Sequence, residues 1–234
     1  MVRWSAFALV LVAGMIAACG GGPKPATGQA PPGNRGDAPP TLADGPPYAA
    51  LFQDGQTLRF RRVHEESRYE LGHPDANPDG SVVERTETEL TCTVTARTVG
   101  AWQVARLACP GADEDQLVTS RIEGVYLADA RGLWRTAETA LPTDETVAAR
   151  LADGEPLLPA EPTLVDDRQE EEDGFGEAHK VAQAADGTWC VEHTHWGGDE
   201  GGHTYCFRAG VGLTKVSSYF AGGMSIDDSA ERIP

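Results

Sequence analysis

Basic side chains are scarce in this chain. Nineteen lysines and arginines stand against 36 acids in 234 residues, a net charge of −17. That imbalance repels phosphate backbones and anionic headgroups, so nucleic acid is excluded as a partner. A hydrophobic run long enough to cross a bilayer, roughly 20 residues, is also missing; the main candidate, AFALVLVAGMIAA, covers only 6–18. The chain has no G-x-S-x-G, no G-x-x-x-x-G-K-[ST] and no H-E-x-x-H, and so no nucleophile elbow, phosphate loop or helical zinc-protease motif. Ser217 and Ser218 fall in a predicted strand without an evident base. No catalytic residue is assigned, and a non-enzymatic role is expected.

What is present begins at the N-terminus. A basic start at Arg3 precedes the apolar run, which has the proportions of a secretory signal. Ile16-Ala17-Ala18-Cys19 resembles the lipobox of bacterial lipoproteins. The resemblance implies cleavage before Cys19, lipid attachment at its thiol and a membrane partner held through that lipid. Gly20 follows in place of an inner-membrane-retaining aspartate, which by the same likeness favours the outer membrane. Residues 19–47 are rich in Gly, Pro and Ala and nearly devoid of large apolar side chains. Such a segment buries too little surface to offset its ordering entropy, and reads as a tether. The expected division is a signal over 1–18, a lipidated tether over 19–47 and one domain over 48–234.

Cysteine is sparse as well: five residues, four of them beyond Cys19. An even number in an exported domain predicts disulfides. In TCTVTARTVGAWQVARLAC, a two-residue turn at Gly100-Ala101 suits type II′. Folding there pairs Cys92 with Cys109, Val94 with Leu107 and Ala96 with Ala105, all on one apolar face. The cysteines then occupy a non-hydrogen-bonded pair, where Cα atoms are about 4.5 Å apart and a bridge fits. The same operation on WCVEHTHWGGDEGGHTYC sets Cys190 opposite Cys206 and His193 opposite His203, with GGDEGG as a six-residue loop. Bridges between the two hairpins remain the alternative.

Most other segments alternate as strands do. QTLRFRRVHEESRYE and SVVERTETELTCTVTA flank a break at LGHPDANPDG. GVYLADARGLWRTAE and TYCFRAGVGLTKVSSYF share a plan of strand, short turn, Gly-Leu and strand. One short helix is expected at PTDETVAARLADG, capped by Thr143 and ended by Gly154. The acidic run from Asp166 to Glu177 lacks apolar periodicity and reads as a solvated loop. The predicted fold is therefore mainly β: an antiparallel meander forming a curved sheet or partial barrel, with one short helix and two disulfide-stapled hairpins. FQDGQTLRF (52–60) and FRAGVGLTKVSSYF (207–220) resemble the opening strand and closing hairpin of periplasmic β-rich lipoproteins. Those are related in architecture to half-barrel lipoprotein carriers and receptors, so the likeness implies a concave apolar face for acyl ligands.

Two clusters carry ligand chemistry. Asp75, Asn77 and Asp79 stand at alternate positions before Gly80, as in the first half of a calcium loop. Thr86 occupies the place of the usual bidentate glutamate, for which Glu84 or Glu87 could substitute; a plain turn explains the residues equally. His193, His195 and His203 share one strand face and, with Asp199 or Glu200, could hold zinc. A solvated rim is the simpler reading, and no cofactor is expected. The functional expectation is a cell-envelope lipoprotein with a binding or structural role. A carrier of apolar ligands, a metal protein built on the 189–206 hairpin and an envelope-protein partner stand as alternatives.

Overall fold

The structure, a computed structural model, describes residues 45–69, 81–111, 117–170, 174–222 and 224–234. Cys19 and the 75–79 cluster, with the signal and most of the tether, lie outside the described residues. Twelve strands form one antiparallel sheet: β1 Thr57–Tyr69, β2 Ser81–Val99, β3 Trp102–Ala108, β4 Gly124–Asp129, β5 Gly132–Thr136, β6 Leu158–Pro159, β7 Val165–Glu170, β8 Gly176–Gln183, β9 Trp189–Trp196, β10 Glu200–Arg208, β11 Gly212–Ala221 and β12 Met224–Ile233. Their order is β6-β5-β4-β3-β2-β1-β12-β11-β10-β9-β8-β7. The curl stays open, since β6 and β7 are its two edges. All pairings are between sequence neighbours except one: β1 lies beside β12, from Arg59↔Ile233 to Arg68↔Met224.

Both stapled hairpins form in the predicted register. Val99 pairs with Trp102 and Ala96 with Ala105, and Gly100 takes a φ of 59°. No other residue type has positive φ among those described, so Ala101 keeps an ordinary φ and the turn is type II′. Cys92 is bonded to Cys109 and Cys190 to Cys206, with Cα separations of 4.0 and 4.1 Å. The inner face of the curl encloses the main core. Phe60, Leu107, Tyr126, Leu133, Tyr205 and Phe207 meet there from both halves of the sheet.

Short elements plug this interior. Tyr48 and Leu51, on the 3-10 turn Ala49–Phe52, are buried against it. Helix α1, Leu117–Ile122, packs on β11 and β12 and buries Val118 and Ile122. Helix α2, Glu145–Leu151, covers the other face of β3, where Trp102, Val104, Leu127, Trp134 and Ala148 form a second core. Each large apolar side chain fully buried in these clusters contributes about 1.5–3 kcal/mol.

Four expectations are corrected. A second helix, α1, exists; six residues are too few to show a helical period. The cap of α2 is Asp144, whose carboxylate accepts from the Val147 amide at 3.0 Å, and not Thr143. The described ends of the acidic run are strand and not loop: Val165–Glu170 pairs with Gly176–Val181. It lacks alternation because β7 is an edge strand exposed along nearly its whole length, with only Val165 packed on the core; charge on such an edge also discourages pairing with other chains. Finally, the 189–206 loop is shorter than six residues, because Gly201 and Gly202 pair with His195 and Thr194 inside the ladder. A Cβ on Gly202 would sit 2.7 Å from the His193 carbonyl oxygen, and one on Gly201 2.8 Å from His195 Cε1. These glycines leave room for neighbours.

Candidate functional site

Strand pairing across the sheet generates a row that no single segment reveals. Asp167 pairs with His179, His179 with His193, His193 with His203, His203 with Ser218, Ser218 with Asp228, and Asp228 with His64. Directly opposed residues project to the same face, so the row crosses the inner face of seven strands. One step deeper lie Val181, Val191, Tyr205, Val216 and Ala230, all buried. One step outward lie Glu177, His195 and Gly201. The row is the boundary between apolar interior and open lip.

The histidines stack. Ring centroids of His179 and His193 are 4.5 Å apart at 7°, and those of His193 and His203 5.2 Å apart at 22°. Tyr205 meets His203 edge-on at 5.6 Å. Burial is the main cause that lowers the His193 pKa, with His179 beside it adding to the effect. Burial and then Arg121 push His203 down to about 4, with His193 and Arg135 contributing further. His193 and His203 are thus neutral near neutral pH, the form that stacks without mutual repulsion.

His193, His195 and His203 do share a face, as expected. They do not converge, because His195 stands in the next row and the other two rings are nearly parallel. Lone pairs lie in the ring plane, so parallel imidazoles aim side by side and not at one point. Among the described residues, no group of three or more histidines, cysteines or carboxylates is arranged to hold a metal. Glu84 and Glu87, the substitutes considered for calcium, are engaged with Arg68 at 2.6 Å and Arg85 at 2.9 Å.

Ser218 is not isolated from a base, since His203 stands opposite it. Yet the order is His203–Ser218–Asp228, with the serine in the middle. A relay needs the imidazole between hydroxyl and carboxylate. The Ser218 hydroxyl donates to the Gly202 carbonyl at 3.2 Å. Asp228 is occupied too: Arg62 donates to both its oxygens at 2.7 and 3.0 Å, and the Val118 amide at the start of α1 donates at 3.1 Å.

Around the stack lie two adjoining hollows of about 480 and 270 Å³, which share His179, His193, His203 and Glu155. The smaller is walled by Arg121 of α1, Arg135 of β5 and Tyr205. Arg135 donates to the Ser120 carbonyl and, at 2.6 Å, to that of Glu123, which fastens α1 to the sheet. Beyond the lip, Trp196 lies under Arg168 at 4.4 Å. Sequence reasoning missed His179, Arg121 and Arg135. His179 had one legible signal, its two-residue offset from the buried Val181. The arginines had none, because separate elements bring them in. Comparison with protein-family models, with curated proteins and with solved structures returned no match.

Proposed function

We propose that this chain is a cell-envelope lipoprotein, anchored in the outer membrane through lipid on Cys19, whose β domain binds a ligand without transforming it. The order of signal, small residues and cysteine at 16–19 supports the anchor. Two disulfides that use every other cysteine agree with an oxidising compartment. One observation carries the binding role: polar histidines line a hollow of about 480 Å³ at the mouth of an apolar interior. A concavity beside an apolar interior, lined by a few placed polar groups, is the usual form of a ligand seat.

An acyl carrier is the weaker reading. The inside of the curl is filled by Phe60, Tyr126, Tyr205 and Phe207, which an acyl chain would have to displace. The central Ser218 and the engaged Asp228 likewise favour binding over acyl transfer. Two measurements test the proposal. Cys19→Ala should give a soluble product lacking the lipid mass; a variant retained in membranes overturns the anchor. Screening the full chain against metabolites by thermal shift should find compounds whose stabilisation is lost in His203→Ala. Stabilisation that survives this change overturns the seat.

A further inference from the structure

The strongest unassigned feature is the smaller hollow, where two guanidiniums enter an otherwise acidic protein. Arg121 comes from the last turn of α1 and Arg135 from β5. Both wall the hollow with Tyr205, His193 and His203. The Arg135 Cζ stands 5.8 Å from the Tyr205 ring centre. Among the described residues, neither arginine forms a salt bridge with a carboxylate. Asp153 and Glu155, both exposed, also line the hollow. Two nitrogens of the wall are buried with no hydrogen-bond partner, Arg135 Nε and His179 Nε2.

Two guanidiniums without a carboxylate partner, walling one concavity, have a natural complement. Resting on the binding role proposed above, we infer that Arg121, Arg135 and the His193–His203 pair form a seat for a small dissolved oxyanion. A planar guanidinium suits a carboxylate or phosphate because it donates two parallel hydrogen bonds. The net charge of −17 disfavours approach to an anionic lipid surface, so the ligand is free in solution. The low proton affinity of His203, held down partly by both arginines, agrees with positive potential in the hollow. An anion seated there favours the protonated imidazoles, so by linkage its binding strengthens as pH falls.

The test is a sulfate titration of the full chain, observed through histidine ring resonances at constant ionic strength. Sulfate keeps both charges across the range used, about pH 7.5 to about pH 5.5. His193 and His203 should shift saturably while His64 stays still, with affinity rising severalfold at the lower pH. Arg121→Gln should weaken binding about tenfold, the size of one charge-assisted hydrogen bond. Arg121→Lys, which keeps the charge, should fall between and serves if the glutamine variant unfolds. Non-saturating shifts shared by His64 overturn the inference, as does unchanged affinity in both variants. A response to vesicles of phosphatidylglycerol but not to sulfate also overturns it. A response to zinc chloride alone overturns the oxyanion but leaves the binding seat standing; silence to every probe, together with a failed metabolite screen, removes both.

Discussion

His179 lies parallel to His193, with ring centroids 4.5 Å apart and planes 7° apart. The contact exists because β8 and β9 place the two residues directly opposite each other. Burial holds the His193 pKa below its usual range and that of His203 at about 4. Below about pH 6.5 the unfolded chain takes up protons on these residues while the folded chain does not, so stability falls with pH. The loss should begin near pH 6.5 and, for His203, be complete near pH 4. Urea midpoints across that range check it, and His203→Gln should flatten the profile. An unchanged profile would contradict neutral His193 and His203.

Among the described residues, Arg62 and Asp228 form the most deeply buried ion pair, with residue exposures of 4% and 1%. Removing one partner strands the other charge. Asp228→Asn should cost about 3–5 kcal/mol in urea unfolding. It should also loosen α1, since Asp228 accepts from the Val118 amide. Replacing both residues with apolar ones of similar volume should recover much of the loss. A single variant within about 0.5 kcal/mol of the parent would show that the pair carries little.

Each disulfide closes a short loop, of separation 17 and 16. Double replacement of Cys92 and Cys109 by alanine should cost about 3 kcal/mol through the entropy regained by the unfolded chain. Peptide mapping without reduction should recover each hairpin as one cross-linked fragment. Fragments joining the two hairpins would refute the pairing.

Gly202 occupies a strand position where a methyl group would meet the His193 carbonyl oxygen and the Tyr219 ring, each at 2.7 Å. Gly202→Ala should destabilise by about 1–3 kcal/mol, as overpacking does. It should also alter the ring-current shifts of His193 and His203, because the clash falls on the backbone of His193. A silent substitution would mean that β9 and β10 separate at no cost.

How much was legible followed from how far apart in sequence the determinants lie. The Cys92–Cys109 register followed from a two-residue turn and strand parity, both local, and so did His193 facing His203. The acidic strand β7 was hidden because it is an edge with little apolar surface to alternate. The glycines at 201 and 202 read as loop residues because the rings that need their space come from neighbouring strands.

By itself the sequence determined the β class, both staples, a short helix within 142–154 and the shared face of the three histidines. Period-2 alternation, turn chemistry and capping act over a few residues and leave their mark there. Only the tertiary structure decided that β12 returns beside β1, that His179 joins the stack, and that Arg121 and Arg135 meet at Tyr205. Those contacts depend on the curl of the whole sheet, which buries its apolar face by wrapping around it, and no local pattern encodes where a curl brings distant strands.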